Sequence, residues 1–189
     1  MPYKASAPDL PSAKTRIIEA AVLLFARTPF SETSLRDIAT AAQVDVAYVH
    51  RAFGSKSEIF RQALQGIGSL EGMFKPPADP DTVIERICDR AFLRDPQNVK
   101  DVQPFHLIMQ SCTCSEARSF LDDFIRTALV EPLAEVFGHK DLGHATFAIS
   151  ILSGFISMRL VIGNSVMHSM PDEVLKAMLR KALYGAMTR

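Results

Sequence analysis

Apolar residues recur every three to four positions along almost the whole chain, and the two-residue alternation of a half-buried strand is nearly absent. The pattern predicts an all-α protein. Ile17, Ile18, Ala21, Leu24 and Phe25 form the stripe of a first helix that starts near Ser12 and ends around Thr28 and Pro29. Ser34, with Asp37 three positions on, opens a second helix as a capping box, and Leu35, Ile38, Ala39 and Ala42 give its apolar side. Gln43, Val44 and Asp45 make a tight connection to a short third helix from about Val46 to Ala52. Ser55 and Glu58 repeat the capping pattern and start a fourth helix, expected to reach about Gly68–Gly72.

Beyond a loop at Lys75-Pro76-Pro77, Asp79 caps and Pro80 begins a fifth helix to about Arg94. Further helices are expected at roughly 98–111, 116–138, 142–168 and 172–187. Thr113-Cys114-Ser115-Glu116 supplies a cap for the second of these, and Pro132 should bend it. The expected architecture is a three-helix helix-turn-helix head on a body of about five to six helices, about nine in all. The expected boundaries are an arm at 1–11, the head at 12–60 and the body at 61–189.

The short third helix is the informative element. On a 100° wheel Val46, Val49 and Phe53 share one side, which can anchor it to a core. Ala47, Tyr48, His50 and Arg51 spread over the other, offering a ring, hydrogen bonds and a cation. A helix with so little to bury suits a major groove about 12 Å wide. Charge qualifies that reading. The chain carries 21 Lys and Arg against 21 Asp and Glu, and the first 60 residues hold seven against six. DNA binding must come from a few placed cations rather than from bulk charge.

These residues resemble the TetR-type regulators. The likeness covers residues 12–64 and lies in T-R-I-I-E-A-A at 15–21, L-F-A at 24–26, T-S-L-R-D-I-A at 33–39 and V-D-V-A-Y-V-H-R-A-F-G-S-K at 44–56. The body resembles the family in helix count, length and the pattern of its last two helices. The resemblance implies a one-component, homodimeric repressor that binds a pseudo-palindromic double-stranded operator and is released by a small-molecule effector. It implies DNA contacts from Ser34 and Arg36 at the start of the second helix, from Ala47, Tyr48, His50 and Arg51, and from Lys56 to a phosphate. Guanidinium geometry and the helix N-terminus agree with such roles. The chain departs from the family at His50 and Ala52, where aromatic residues are usual, and at Gln43 and Pro29, which stand in place of glycines.

Two body surfaces are expected. Ala148, Ser150, Ser153, Gly154 and Ser157 permit close helix approach, and Val174, Leu175, Met178, Leu179, Ala182, Leu183 and Ala186 form a stripe in the last helix, so two copies should build a four-helix bundle. An apolar or amphipathic effector is expected between the fourth helix and the helices at about 98–138. His106, Met109, Gln110 and Phe124 are its lining candidates, with Phe155 and Met158 closing the pocket.

Other chemistry is weaker. Cys112-Thr113-Cys114 lacks the further ligands of a tetrahedral metal site. Asp122 and Asp123 diverge by 100° on a helix. Gly54-Ser55-Lys56-Ser57 lacks the first glycine of a phosphate loop and follows no strand. No cofactor or metal is expected, and no nucleophile–base pair has a readable spacing. An all-α enzyme or a protein-interaction module that keeps the helix-turn-helix as a scaffold remains the alternative. Three cysteines and no apparent leader suggest a reducing cytoplasm. From Leu142 to Pro171 Arg159 is the only charge, but the polar interruptions favour a buried interface over a membrane span.

Overall fold

The computed structural model of the protein describes residues 11–67, 72–92, 102 and 104–188, and no strand occurs among them. Helix α1, Ala13–Arg27, begins where the Ser12 hydroxyl accepts the Thr15 N–H at 3.1 Å, and it buries Ile17, Ala21 and Phe25 completely. Helix α2, Leu35–Ala41, carries the full capping box: Ser34 accepts from the Asp37 N–H, and Asp37 accepts from the Ser34 N–H at 2.8 Å. Helix α3, Val46–Phe53, is capped by Asp45 and closed by Gly54 at φ +76°. Helix α4, Lys56–Gln65, forms only half of its expected box. Ser55 accepts from the Glu58 N–H, but the Glu58 carboxylate turns instead to Arg61 and Gln62. Gly66 ends α4 earlier than the periodicity suggests, and the rest of the expected extension lies largely outside the described residues.

Helix α5, Pro80–Ala91, starts on Asp79 with proline in its first turn, where a missing N–H costs nothing. Its expected end at Arg94, and the expected start of the next helix near 98, fall outside the described residues. Helix α6, Pro104–Ser111, is followed by turns at 112–117. The expected cap at Thr113–Glu116 does not form. Helix α7, Arg118–Ile125, follows Ala117, which contributes no side-chain bond. From Arg126 to Val130 the backbone widens into π-helical turns, with Glu131 N–H donating to Arg126 O, before α8, Glu131–Val136. Pro132 lacks an N–H, and a π-bulge is one way a helix accommodates such a gap.

The expected helix 142–168 is broken. Helix α9, Gly143–Ile156, continues through a widened stretch, Ser157–Val161. Gly163 then takes φ +66°, and the Asn164 side chain caps a new short helix, α10, Ser165–Ser169. The last helix, α11, Asp172–Met187, has the expected extent. It packs along α9 and is bound to α5 by Lys176 with Glu85 and Asp89. Gly143–Val161 is long and apolar enough to cross a membrane on length and composition alone. Here Ala145, Ala148, Ile149, Leu152 and Ile156 of that stretch are buried in the protein core. One apolar core runs through head and body, joined mainly where α1 lies on α6.

Candidate nucleic-acid interface

The head presents α3 on a rigid support. Ile38 and Ala39 of α2 and Val49 of α3 are buried, and Val46, Phe53 and Tyr48 pack half-buried against the same core. Gln43 carries the turn between α2 and α3 at φ +54°, a left-handed conformation that glycine would adopt without strain. The turn is tied by Val44 N–H to Ala39 O at 3.0 Å. Ala47, His50 and Arg51 are exposed, as are Ser34 and Arg36 at the head of α2. Tyr48 is shared between the core and the surface. The Asp37 carboxyl in the α2 cap is held below the usual carboxylate range by hydrogen bonds from the Ser34 hydroxyl and backbone N–H.

Lys56 is half-buried, unlike the exposed Ser34, Arg36, Ala47, His50 and Arg51. Its Nζ donates to the carbonyl of Phe30 at 2.6 Å and lies 4.2 Å from the centre of the Phe30 ring. An ammonium has three N–H donors, so two are left for a phosphate. Phe30 itself is buried in an aromatic cluster, stacked on Phe25 at 5.9 Å and edge-on to Phe60 at 5.1 Å.

The expected effector lining divides between two cavities. Phe124 lines one of about 590 Å³ between α4 and α7, with Arg61, Leu64, Gln65, Phe120 and Thr127. His106, Met109 and Gln110 line another of about 300 Å³ between α1, α6 and the end of α9, with Ala26, Ile156 and Leu160. Phe155 and Met158 line neither: Phe155 packs on the Phe92 ring at 5.5 Å, and Met158 faces outward. Sequence periodicity missed Leu64 and Phe120, because which neighbour a helix side faces depends on the tertiary packing.

The small-residue and leucine stripes are likewise divided. Ala148, Leu175, Leu179 and Leu183 are buried within the chain, where α9 meets α11, and are not available to a second copy. Ser153 and Ser157 are half-buried. Ser150, Gly154, Met178 and Ala182 face outward. Large exposed apolar residues that the small-residue pattern passed over are Phe147, 62% exposed, with Val161 and Ile162; Val174 of the expected stripe is exposed too, while Ala186 is buried within the chain. No group of three or more His, Cys, Asp or Glu among the described residues is placed to hold a metal.

Residues 17–63 match the family "Bacterial regulatory proteins, tetR family", and residues 81–185 match the "Tetracyclin repressor-like, C-terminal domain". An HTH-type transcriptional repressor of Mycobacterium tuberculosis is 35% identical over 74 residues, a stretch that spans 39% of this chain and 39% of that protein. The fold is shared with NalD, the secondary repressor of the MexAB-OprM multidrug efflux pump in Pseudomonas aeruginosa, at a TM-score of 0.66 and 18% identity over 94% of this chain and 97% of that one. A TetR-family transcriptional regulator from Rhodococcus sp. superposes at a TM-score of 0.70 and 14% identity, over 93% and 99% of the two chains. With both its head and its body matched, the chain belongs to the TetR family of transcriptional regulators.

Proposed function

We propose that the protein is a homodimeric repressor that binds a pseudo-palindromic operator through α2 and α3 and releases it when a small amphipathic molecule occupies the body. The observation that carries this reading is the combination of a buried Val49 with exposed Ala47, His50 and Arg51 on one short helix. Such a helix is anchored on one side and free to enter a groove on the other. Arg36 and Tyr48 read base edges, while Lys56 and Ser34 hold phosphates. The domain organisation is a head at 12–60 and a body at 61–189.

The dimer is built on the outward side of α9 and α11. Exposed Phe147, Val174 and Met178 are costly to leave in water, and a second copy related by a twofold axis covers them with the same residues. The effector enters the larger cavity, where Leu64 and Gln65 of α4 meet Phe120 and Phe124 of α7. Leu64, Phe120, Phe124 and Ala128 supply apolar walls, and an amide, two hydroxyls, Arg61 and Asp123 supply polar groups, a lining that suits an amphipathic ligand in a volume typical of a small-molecule site. An occupant there displaces α4 from α7 and changes the spacing of the two heads. It acts only through its different affinity for the two arrangements.

The test is a thermal-shift screen of lipophilic and anionic metabolites, followed by a gel shift with DNA flanking the gene. A true effector raises the melting temperature and releases the DNA together. Phe124→Trp should block it by filling the cavity. A ligand that binds Phe124→Trp as well as the wild type refutes this site, and a protein that shifts no DNA in a salt-sensitive way refutes the repressor reading.

A further inference from the structure

Phe30 is held from two sides. Its backbone N–H donates to the Ser111 hydroxyl at 3.2 Å, across 81 positions of sequence, and its carbonyl accepts from Lys56 Nζ at 2.6 Å. Phe30 and Ser111 are both fully buried. Ser111 is the last residue of α6 in the body, whereas Phe30 sits in the loop that leads to the cap of α2 and Lys56 opens α4. From these contacts we propose that Ser111, which lies in the body and makes no DNA contact, is a positioning residue for operator binding. It fixes Phe30 and, through the Phe30 carbonyl and ring, the ammonium of Lys56.

The reasoning is one of satisfied groups. A buried amide N–H needs an acceptor, and the Ser111 hydroxyl is the acceptor this one has. With it, the peptide at Phe30 has one orientation, so its carbonyl presents one site to Lys56. Without it, the peptide is free to turn toward another acceptor and the lysine loses its fixed partner. The cation–π contact at 4.2 Å reinforces the placement, because the same residue supplies both the ring and the carbonyl. The link also has an input. Met109 and Gln110, which immediately precede Ser111 on α6, line the 300 Å³ cavity. A shift of α6 at that cavity is transmitted to Lys56 through two hydrogen bonds in series, from Phe30 to Ser111 and from Lys56 to Phe30.

The inference rests on the reading that the head binds DNA with Lys56 on a phosphate, and its test separates the two. Fluorescence anisotropy is measured on two labelled duplexes, one carrying the DNA that flanks the gene and one of scrambled sequence, over a range of salt. The proteins are wild type, Ser111→Ala, Ser111→Thr, Lys56→Ala and the double variant Ser111→Ala/Lys56→Ala. Ser111→Ala should weaken binding to both duplexes by about fivefold to a hundredfold, the range of one lost hydrogen bond in each of the two heads. It should lower the salt slope by about 1.8, the share of one phosphate in each of the two heads. Ser111→Thr, which keeps the hydroxyl, should restore affinity and slope. The double variant should bind no more weakly than Lys56→Ala, since both changes remove the same contact.

Melting curves and far-UV circular dichroism accompany each variant. If Ser111→Ala does not fold, Ser111→Cys, of nearly the same size with a poorer acceptor, takes its place in the same measurement. A Ser111→Ala protein that binds like the wild type, or a double variant in which the two losses multiply, overturns the positioning role while leaving the repressor reading in place. A wild type that binds neither duplex overturns the DNA-binding reading and this inference with it.

Discussion

The guanidinium of Arg159, only 5% exposed, reaches the Asp172 carboxylate at 2.8 Å while its face lies 4.5 Å from the Phe92 ring. One charge thus ties the end of α9 to the start of α11 and the end of α5, in a region whose sequence carries no other charge from Leu142 to Pro171. Its second terminal nitrogen, Nη1, is buried without a hydrogen-bond partner. Asp172→Asn leaves a buried cation with no carboxylate and should cost about 1–3 kcal/mol, less than a fully buried pair because Asp172 is itself half in water. Arg159→Met replaces the cation by an apolar chain of similar length and should cost less than Asp172→Asn. Urea unfolding at fixed protein concentration compares the two. The reverse order would contradict this account of Arg159.

The outward apolar residues of α9 and α11 give a prediction about assembly. Phe147→Glu and Met178→Glu place charges where two copies should meet, and each should convert the dimer to monomer in sedimentation at micromolar concentration. Leu179→Ala, inside the chain, should lower stability by about 2–5 kcal/mol, as a core truncation does. A wild type that sediments as a monomer contradicts the dimer outright.

How far the sequence could be read is visible in particular residues. Ser12, Ser34 and Asp79 each mark a helix start correctly, because a cap is a bond between residues three apart and needs no tertiary information. Val49, with its buried side and exposed neighbours on α3, is legible for the same local reason. The break at Gly163 and Asn164 was not, because apolar residues continue across it and a turn at positive φ leaves no mark on periodicity. The division of Leu175 and Leu179 from Met178 follows from how α9 lies across α11, which no stripe on a single helix encodes. The contact between Phe30 and Ser111 joins residues 81 apart, neither of which belongs to any motif.

Thiol chemistry offers an independent check of the burial pattern. Cys88 is buried, and its thiol is pushed up to about 11, first by burial and then by the nearby Glu85 carboxylate. Cys112 is exposed and Cys114 half-buried. An aromatic disulfide reagent at pH 8 should therefore modify Cys112 rapidly and leave Cys88 untouched until the protein unfolds. Mass spectrometry of the labelled peptides reads the order. Labelling of Cys88 in the native protein would contradict the packing of α5 against α11.

The most direct measurement of the central claim is the ratio of affinities for an inverted repeat selected from the DNA flanking the gene and for a scrambled duplex, taken at one salt concentration for wild type and Arg36→Ala. The wild type should prefer the repeat by about 10³ or more, as specific DNA-binding proteins do. Arg36→Ala should lose about 1–3 kcal/mol per half-site on the repeat, the worth of a base contact, and little on the scrambled duplex. Equal affinity of the wild type for both duplexes would contradict the account.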